Sequence, residues 1–520
     1  MPIQQPGPSP RHSIPPVILT AVGPKDPIGA VLPYSLTMSA IKRVLLVSAL
    51  VLTLRCASSS APAPPPTSAA TPAGRCRGTL GLEVKQGSAR QFKGAVLAEV
   101  LPGSPAAAAG LRADDVVEQI GSTRLANVCE FTDLAFSRSC DPVRVLYRRG
   151  SASLEAELTP VDQAAFYEKG CRDGIASACF RQGWLLWNRK GDANSGRALE
   201  LMTAACKSGS AEACAYEGLD LMESADRGSA AVPVLERSCD LASGGGCANL
   251  AFLYATGKFV KKDDRRSATL YAKACDLGDA QGCYNAGLMA DEGRGVARDA
   301  ARAATRYAEG CDMGSATACT NLGFLYENGR GVKMDKARAH ALYQRGCEGS
   351  SCQPSNLGGC LNAGRGDRDG IGVPVDEKKA AEMFREACDR KVNPDDIHSA
   401  ENGSRACSLL GALYIAGDGI PKDTEKGLEL SALGCDRGDS FGCFNAAAVY
   451  AAGAGVPADP AKAAAYLDRA CKGGDSEGCY DLAIAYEKGN GVARDPKRGA
   501  ELRKKACELG FTKACPGAKK

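Results

Sequence analysis

At 520 residues the chain is longer than one hydrophobic core ordinarily serves, so two or more domains are expected. Its 64 Lys and Arg nearly balance 60 Asp and Glu, which removes the basic footprint of a nucleic-acid binder, and 2 Trp and 3 His leave little for base-stacking platforms or imidazole-rich metal sites. The 25 cysteines are the informative count, because reducing cytosols seldom hold so many thiols outside metal sites, whereas oxidising compartments turn them into a covalent framework.

Residues 1–37 are Pro-rich and lack periodicity, and are expected to be a disordered leader or an extension upstream of a second start at Met38. Residues 38–56 read as a signal peptide: Lys42-Arg43, the apolar run Val44 to Leu54, then Arg55-Cys56. That run rises about 16 Å as a helix, too short for a bilayer core of about 30 Å. Cys56 stands where a lipoprotein signal carries its lipidated cysteine, although Arg55 fills a place such signals give to a small residue. Lipidation at Cys56, with membrane attachment through the lipid, and ordinary cleavage within Ala57–Ala63 are both open. An Ala/Pro/Ser linker, 57–75, follows.

From 76 to 160, short β-branched and alternating runs predict strands at Leu80–Val84, Ala95–Val100, Val116–Ile120, Val143–Tyr147 and Leu154–Leu158. Between them Ser104 suits an N-cap, Pro105 a first helical position and Gly110 a stop, which predicts a short helix. A second helix is expected from Val128 to Arg138. Arg77-Gly-Thr-Leu-Gly-Leu82, Val100-Leu-Pro-Gly-Ser-Pro-Ala-Ala-Ala-Ala-Gly-Leu-Arg-Ala-Asp-Asp-Val-Val117 and Val143-Arg-Val-Leu-Tyr-Arg-Arg-Gly150 together resemble a PDZ domain of the type found in bacterial envelope proteases. The resemblance implies capture of a protein C-terminus as an added strand, its carboxylate held by the backbone N–H groups of Leu80, Gly81 and Leu82. It implies nothing proteolytic, since no protease domain accompanies it.

From 161 to 520 the chain is periodic. Cysteine pairs with seven residues between them recur at Cys171/Cys179, Cys206/Cys214, Cys239/Cys247, Cys275/Cys283, Cys311/Cys319, Cys435/Cys443, Cys471/Cys479 and Cys507/Cys515, and successive pairs are 36 residues apart over much of the array. Gly-x-Gly-Val or Gly-x-Gly-Ile elements at Gly293, Gly329, Gly370, Gly417, Gly453 and Gly489 predict helix stops. Asp299, Asp335, Asp376, Asp423, Asp459 and Asp495 predict N-caps of the helices that follow, two of them with Pro at the first helical position. Two helices per unit cannot bury their apolar faces alone, so about nine pairs should stack into a superhelix. The pattern Ala-Cys-Asp-Leu-Gly-Asp-Ala-Gln-Gly-Cys283, with Asn-Leu-Gly-x-Leu-Tyr, resembles the sel-one-like repeats, and within them the cysteine-rich secreted subfamily known from Helicobacter. The expected fold is therefore multi-domain: a small α+β PDZ-like domain, then an all-α superhelical solenoid of α/α repeats with repeated disulfides.

A zinc site wants closely spaced ligand pairs converging on one ion, and this spacing with so little His argues for disulfides across each helix turn. Two stretched units predict Cys388–Cys407 and either Cys347–Cys360 or Cys352–Cys360. Given the PDZ resemblance, Cys76–Cys140 is favoured over a bridge to Cys129, with unpaired thiols as the alternative. No metal or cofactor is expected. Ser39-Ala-Ile-Lys42 is the one Ser-x-x-Lys in the chain and sits in the signal segment. His340 and His398 look isolated, and read as solvated or capping residues. The expected function is an extracytoplasmic adaptor or scaffold of the bacterial envelope, periplasmic, outer-membrane-attached or secreted. Its partners would be protein C-termini or peptides and other envelope proteins, with the solenoid taking a protein or cell-wall-derived ligand and no nucleic acid. The alternative, carried by the subfamily resemblance alone, is weak penicillin binding or β-lactam hydrolysis.

Overall fold

A computed structural model describes residues 78–80, 82–84, 95–125, 131, 141–187, 192–224, 226–349, 356–390 and 397–516. The signal segment, Cys56, Cys76, Gly81, Cys129, Cys140 and Cys352 lie outside the described residues, as does the expected helix 128–138 except for Phe131.

The N-terminal strands are β1 (Gly78–Thr79), β2 (Leu82–Val84), β3 (Ala95–Val100), β4 (Val116–Ile120), β5 (Thr123–Arg124), β6 (Val143–Arg149), β7 (Ala152–Leu158) and β8 (Val161–Asp162). An antiparallel sheet runs β2-β3-β4-β6-β7, with β5 on β4. Alternation along the strands sends Leu82, Leu97, Val117, Val145 and Leu158 into one core with Leu80, Ala106 and Phe131. Helix α1 (Pro105–Ala108) crosses between β3 and β4; Ser104 accepts from Ala107 N at 3.1 Å, as its N-cap role requires. The Gly-Leu-Arg-Ala-Asp-Asp run that follows serves as a clamp. Buried Asp115 accepts from Arg112 N at 2.9 Å and from Arg149 of β6 through two 2.7 Å bonds, while Arg149 also donates to Gly110 O. Burial alone would raise the Asp115 pKa, but these donors outweigh it and hold the carboxyl below its ordinary range.

Strand β8 then turns back onto β1, pairing Gly78 with Asp162 and Thr79 with Val161, and Asp162 caps the first helix of the array. The hairpins are α2 (Gln163–Arg172) with α3 (Ala176–Trp187), α4 (Asp192–Lys207) with α5 (Ala211–Glu223), α6 (Ala231–Asp240) with α7 (Gly244–Thr256), and α8 (Asp264–Asp276) with α9 (Ala280–Glu292). They continue with α10 (Ala300–Asp312) and α11 (Ala316–Asn328), α12 (Lys336–Glu348) and α13 (Leu357–Asp369), and α14 (Glu377–Asp389) and α15 (Ile397–Ala416). The last are α16 (Thr424–Asp436) and α17 (Ser440–Ala452), α18 (Pro460–Lys472) and α19 (Ser476–Lys488), and a closing α20 (Pro496–Glu508).

Capping sets these boundaries. Asp263, Asp299, Asp335, Asp376, Asp423, Asp459 and Asp495 each accept from a first-turn N–H of the first helix of a unit. In Gly329-Arg-Gly331 the first glycine closes α11 in the left-handed conformation at φ 64°. The second, at φ 67°, lies against the Ala300–Ala301 backbone of the preceding hairpin, where a Cβ could not fit.

Several neighbouring hairpins pack alike: an aromatic residue four before the first cysteine of a unit lies on a glycine four after the second cysteine of the unit before, a place that Ala251, Ala447 and Ala483 take elsewhere. A Cβ would sit 2.7 Å from Tyr307 at Gly287, 2.9 Å from Tyr343 at Gly323 and 2.6 Å from Phe384 at Gly364. Ala and Gly bring the helices close but bury little area each. Covalent staples supplement them. The structure holds disulfides at Cys171–Cys179, Cys206–Cys214, Cys239–Cys247, Cys275–Cys283, Cys311–Cys319, Cys347–Cys360, Cys388–Cys407, Cys435–Cys443, Cys471–Cys479 and Cys507–Cys515. Most join the end of one helix to the start of the next, while Cys388 bonds Cys407 in the middle of α15 and Cys507 bonds Cys515 in the turn after α20; Cα atoms are 4.3 to 4.9 Å apart. In the first stretched unit Cys347, which keeps its neighbours' helix position, bonds Cys360.

Candidate functional site

The segment expected to receive a peptide carboxylate lies between β1 and β2. Thr79, Leu80 and Leu82 are buried, and Leu80 O accepts from Ala106 N of α1 at 3.3 Å. The Leu80 and Leu82 side chains belong to the core, so what this turn offers a ligand is main chain. Gly81, expected as the middle donor, lies outside the described residues.

Both arms of the turn are held by the array. On the upstream arm, Thr79 Oγ1 meets Tyr167 Oη of α2 at 2.9 Å, and burial pushes the Tyr167 phenol up to about 12, keeping it protonated. Leu101, just past β3, packs in one cluster with Tyr167 and Ala178, flanked by Phe166, Ile175 and Leu185. On the downstream arm, Glu83 of β2 takes both ends of the Arg181 guanidinium from α3, the Nε bond at 2.6 Å and the second through Nη2. Both side chains are largely buried, at 16% and 20% exposure, so the pair sits in a medium where its attraction is little screened. Burial favours a neutral Arg181, and Glu83 more than reverses this, raising its pKa. Glu212 of α5 faces the same pair; burial, and the nearby Glu83, raise its carboxyl above the ordinary range.

Sequence reasoning passed over Tyr167 and Arg181. Tyr167 is the residue four before Cys171, an aromatic core position it shares with Tyr271, Tyr307 and Tyr343, so the extra role of its hydroxyl left no trace. Arg181 left only a faint one. Two residues after the second cysteine five units carry Asn249, Asn285, Asn321, Asn362 and Asn445, but Tyr216, Leu409 and Asp481 depart from Asn as Arg181 does.

A second polar constellation corrects the reading of His340 as solvated or capping. It is buried at 4%, with Nε2 3.0 Å from the Asp367 carboxylate, itself buried at 3%. Asp367 fills the helix position held elsewhere by Tyr326, Tyr414, Tyr450 and Tyr486, and His340 the one held by Ala268, Ala304, Ala381 and Ala464. A smaller residue on one helix makes room for a larger one opposite, and the two replacements set an imidazole against a carboxylate, with His340 Nε2 and Asp367 Oδ2 left short of a well-aligned hydrogen bond. A cavity of about 10 Å³ beside them, lined by Glu327, Tyr343 and Arg365 among others, has room for one water. Burial raises the Asp367 pKa, opposed by His340. The side chain of His398 and the pair Asp395-Asp396 lie outside the described residues.

Among the described residues, one group has metal-ligand spacing, Cys275, Cys283 and Glu309, and its two sulfurs are bonded to each other. No helix among them is long and apolar enough to cross a membrane. Ser39 and Lys42 are outside them.

Two family profiles match the chain: a PDZ domain over residues 72–147, and a Sel1 repeat over 176–210, 245–279, 280–315, 316–351, 359–392, 404–439, 440–475 and 476–511. Among solved structures, a protective antigen of uropathogenic Escherichia coli displaying an SLR fold is 21% identical, the match covering 68% of this chain and 80% of that one with a TM-score of 0.41. A Sel1 repeat protein from Oxalobacter formigenes is 18% identical over 64% of this chain and 91% of its own, TM-score 0.44. Helicobacter pylori cysteine rich protein B is 31% identical over 24% of this chain and 93% of its own, TM-score 0.22. No curated protein matches the chain. PDZ domains and Sel1 repeats are protein-interaction modules, which makes the role of the chain that of an adaptor or scaffold with protein or peptide partners.

Proposed function

Because the chain belongs to the Sel1 repeat family and carries a PDZ domain ahead of its repeats, we propose that it is an extracytoplasmic adaptor that captures protein C-termini. In this reading the N–H groups of Leu80, Gly81 and Leu82 take the terminal carboxylate, the peptide adds as a strand to β2, and the solenoid presents a second protein or a cell-wall-derived ligand. One observation carries it. Thr79, Leu80 and Leu82 have their side chains locked into the core, and β1 and β2 are each paired to a neighbouring strand, an arrangement that orders the main chain on either side of the expected donors before a ligand arrives. The extracytoplasmic setting is supported by one disulfide per helical unit, since such bonds persist in oxidising compartments. An envelope location, a signal peptide at 38–56 and a lipid on Cys56 belong to the same proposal.

The test is a peptide selected by display on the full chain, titrated beside its C-terminally amidated twin. The free acid is expected to bind at least about tenfold more tightly. Gly81→Glu should abolish that binding, because a side chain there blocks the carboxylate and repels it. Equal affinity for acid and amide, or unchanged binding by the variant, overturns the assignment.

A further inference from the structure

A solenoid unit is stable because the unit before it covers its first helix, and the first unit of an array has none. In later units Tyr307, Tyr343 and Phe384 lie on glycines of the preceding hairpin. Tyr167 occupies the equivalent position in α2, and among the described residues no array helix precedes it. Its ring is nevertheless fully buried, and from the sheet domain Leu101 and the Thr79 hydroxyl meet it. Arg181, two residues after the second cysteine of the first unit, lies on the same face, where it reaches Glu83. The surface by which the domain covers the array is therefore the back of the turn that would hold a carboxylate. Thr79 and Glu83 stand immediately before and after Leu80–Leu82.

We infer that the PDZ domain takes the place of the missing unit ahead of α2, and that Tyr167 and Arg181 are positioning residues that fix the peptide-carboxylate turn from behind. This rests on the peptide-binding reading above. Besides its β2–β3 pairing and the Leu80–Ala106 hydrogen bond, the turn is braced by the β1–β8 pairing, the Thr79–Tyr167 hydrogen bond and the Glu83–Arg181 ion pair, and the last two reach into the array's own helices. Linkage makes the coupling reciprocal: a peptide that orders the turn tightens the first unit onto the domain, and loosening the first unit weakens the peptide.

Arg181→Asn installs the residue that five other units carry, so the helix retains a side chain the array tolerates while Glu83 loses its partner. Tyr167→Phe keeps the ring and removes the hydroxyl. In the full chain, hydrogen exchange of the segment Gly78–Val84 is expected to accelerate about tenfold or more in Arg181→Asn and by less in Tyr167→Phe. Arg181→Lys, which keeps the charge, should stay nearer the parent. Affinity for the display-selected free-acid peptide should fall in the same order. Unchanged exchange in both variants, with the array still helical by circular dichroism, overturns the inference. A chain whose exchange responds but which binds acid and amide peptides equally overturns the carboxylate reading and leaves the bracing of the turn standing.

Discussion

The sheet domain and the helical array solve the same problem by different means. The domain gathers Leu80, Leu97, Val117, Ile120, Phe131, Val145 and Leu158 into a single core, and apolar area does most of the stabilising. The array has no such centre; it divides its apolar residues among separate clusters, the larger ones spanning four successive helices and built mostly of Ala, Leu and Cys. Such clusters bury little, and the array sets against that one disulfide per unit and an Asp cap on each of seven first helices from α8 onward. A globular core fails as a whole, whereas an array of local clusters can be weakened one joint at a time.

Reduction breaks this symmetry most. In the chain-entropy view each bridge across a loop of about nine residues contributes roughly 2–3 kcal/mol. Thiol reductant is therefore expected to melt the array at 37 °C while Val117 and Val145 in the sheet keep their amide protection, as read by circular dichroism and hydrogen exchange. An array that stays cooperative and helical when reduced would mean the clusters suffice alone.

His340 and Asp367 sharpen the contrast inside the array. His340→Ala restores the small residue of other units but leaves a buried carboxylate without its partner, at an expected cost of about 3 kcal/mol or more in urea unfolding. Adding Asp367→Tyr rebuilds the Ala–Tyr pairing of α10 and α11 and should recover most of it. If the double variant is no better than the single, the two positions are not coupled.

The smallest effect is a difference of sign with pH. Asp115 titrates below its ordinary range when folded, so its contribution is present above the unfolded value and is lost as pH falls from about 4. Asp279 and Asp475, N-caps of α9 and α19, go the other way: burial raises both, against the N–H bonds of Gly282 and Gly478, so protonation relieves them as pH falls. On acid titration Asp279 and Asp475 should therefore protonate first and the Asp115–Arg149 clamp last, an order that site-resolved carboxyl shifts by nuclear magnetic resonance would check.

The array was legible because its signals are local and repeated. Cys-x7-Cys, Gly-x-Gly-Val and the Asp caps each act within a turn or two of helix, and repetition separates them from accident. The choice between Cys347 and Cys352 was undecidable by spacing, since the insertion moved one partner and left two equivalent offsets. The joint between domain and array stayed hidden for the opposite reason: it is made once, between residues 88 and 98 positions apart, Thr79 with Tyr167 and Glu83 with Arg181. His340 was misread because a lone histidine carries no sign of burial, and its partner, 27 residues on, shows only as a missing tyrosine.

The pairing of β1 with β8 also sets how the molecule would bear a mechanical load. Gly78 and Asp162 stand directly opposite, so tension applied between the chain ahead of Gly78 and the helices beyond Asp162 enters the two strands at the same end. Strands loaded that way unzip bond by bond instead of sliding in shear, and the first residues drawn out after Gly78 are Thr79 and Leu80. A pull on the N-terminal side would thus reach the peptide-binding turn, with its core residue Leu80, first, and single-molecule pulling would register it as a small first step at low force, absent in a chain with the two strands cross-linked.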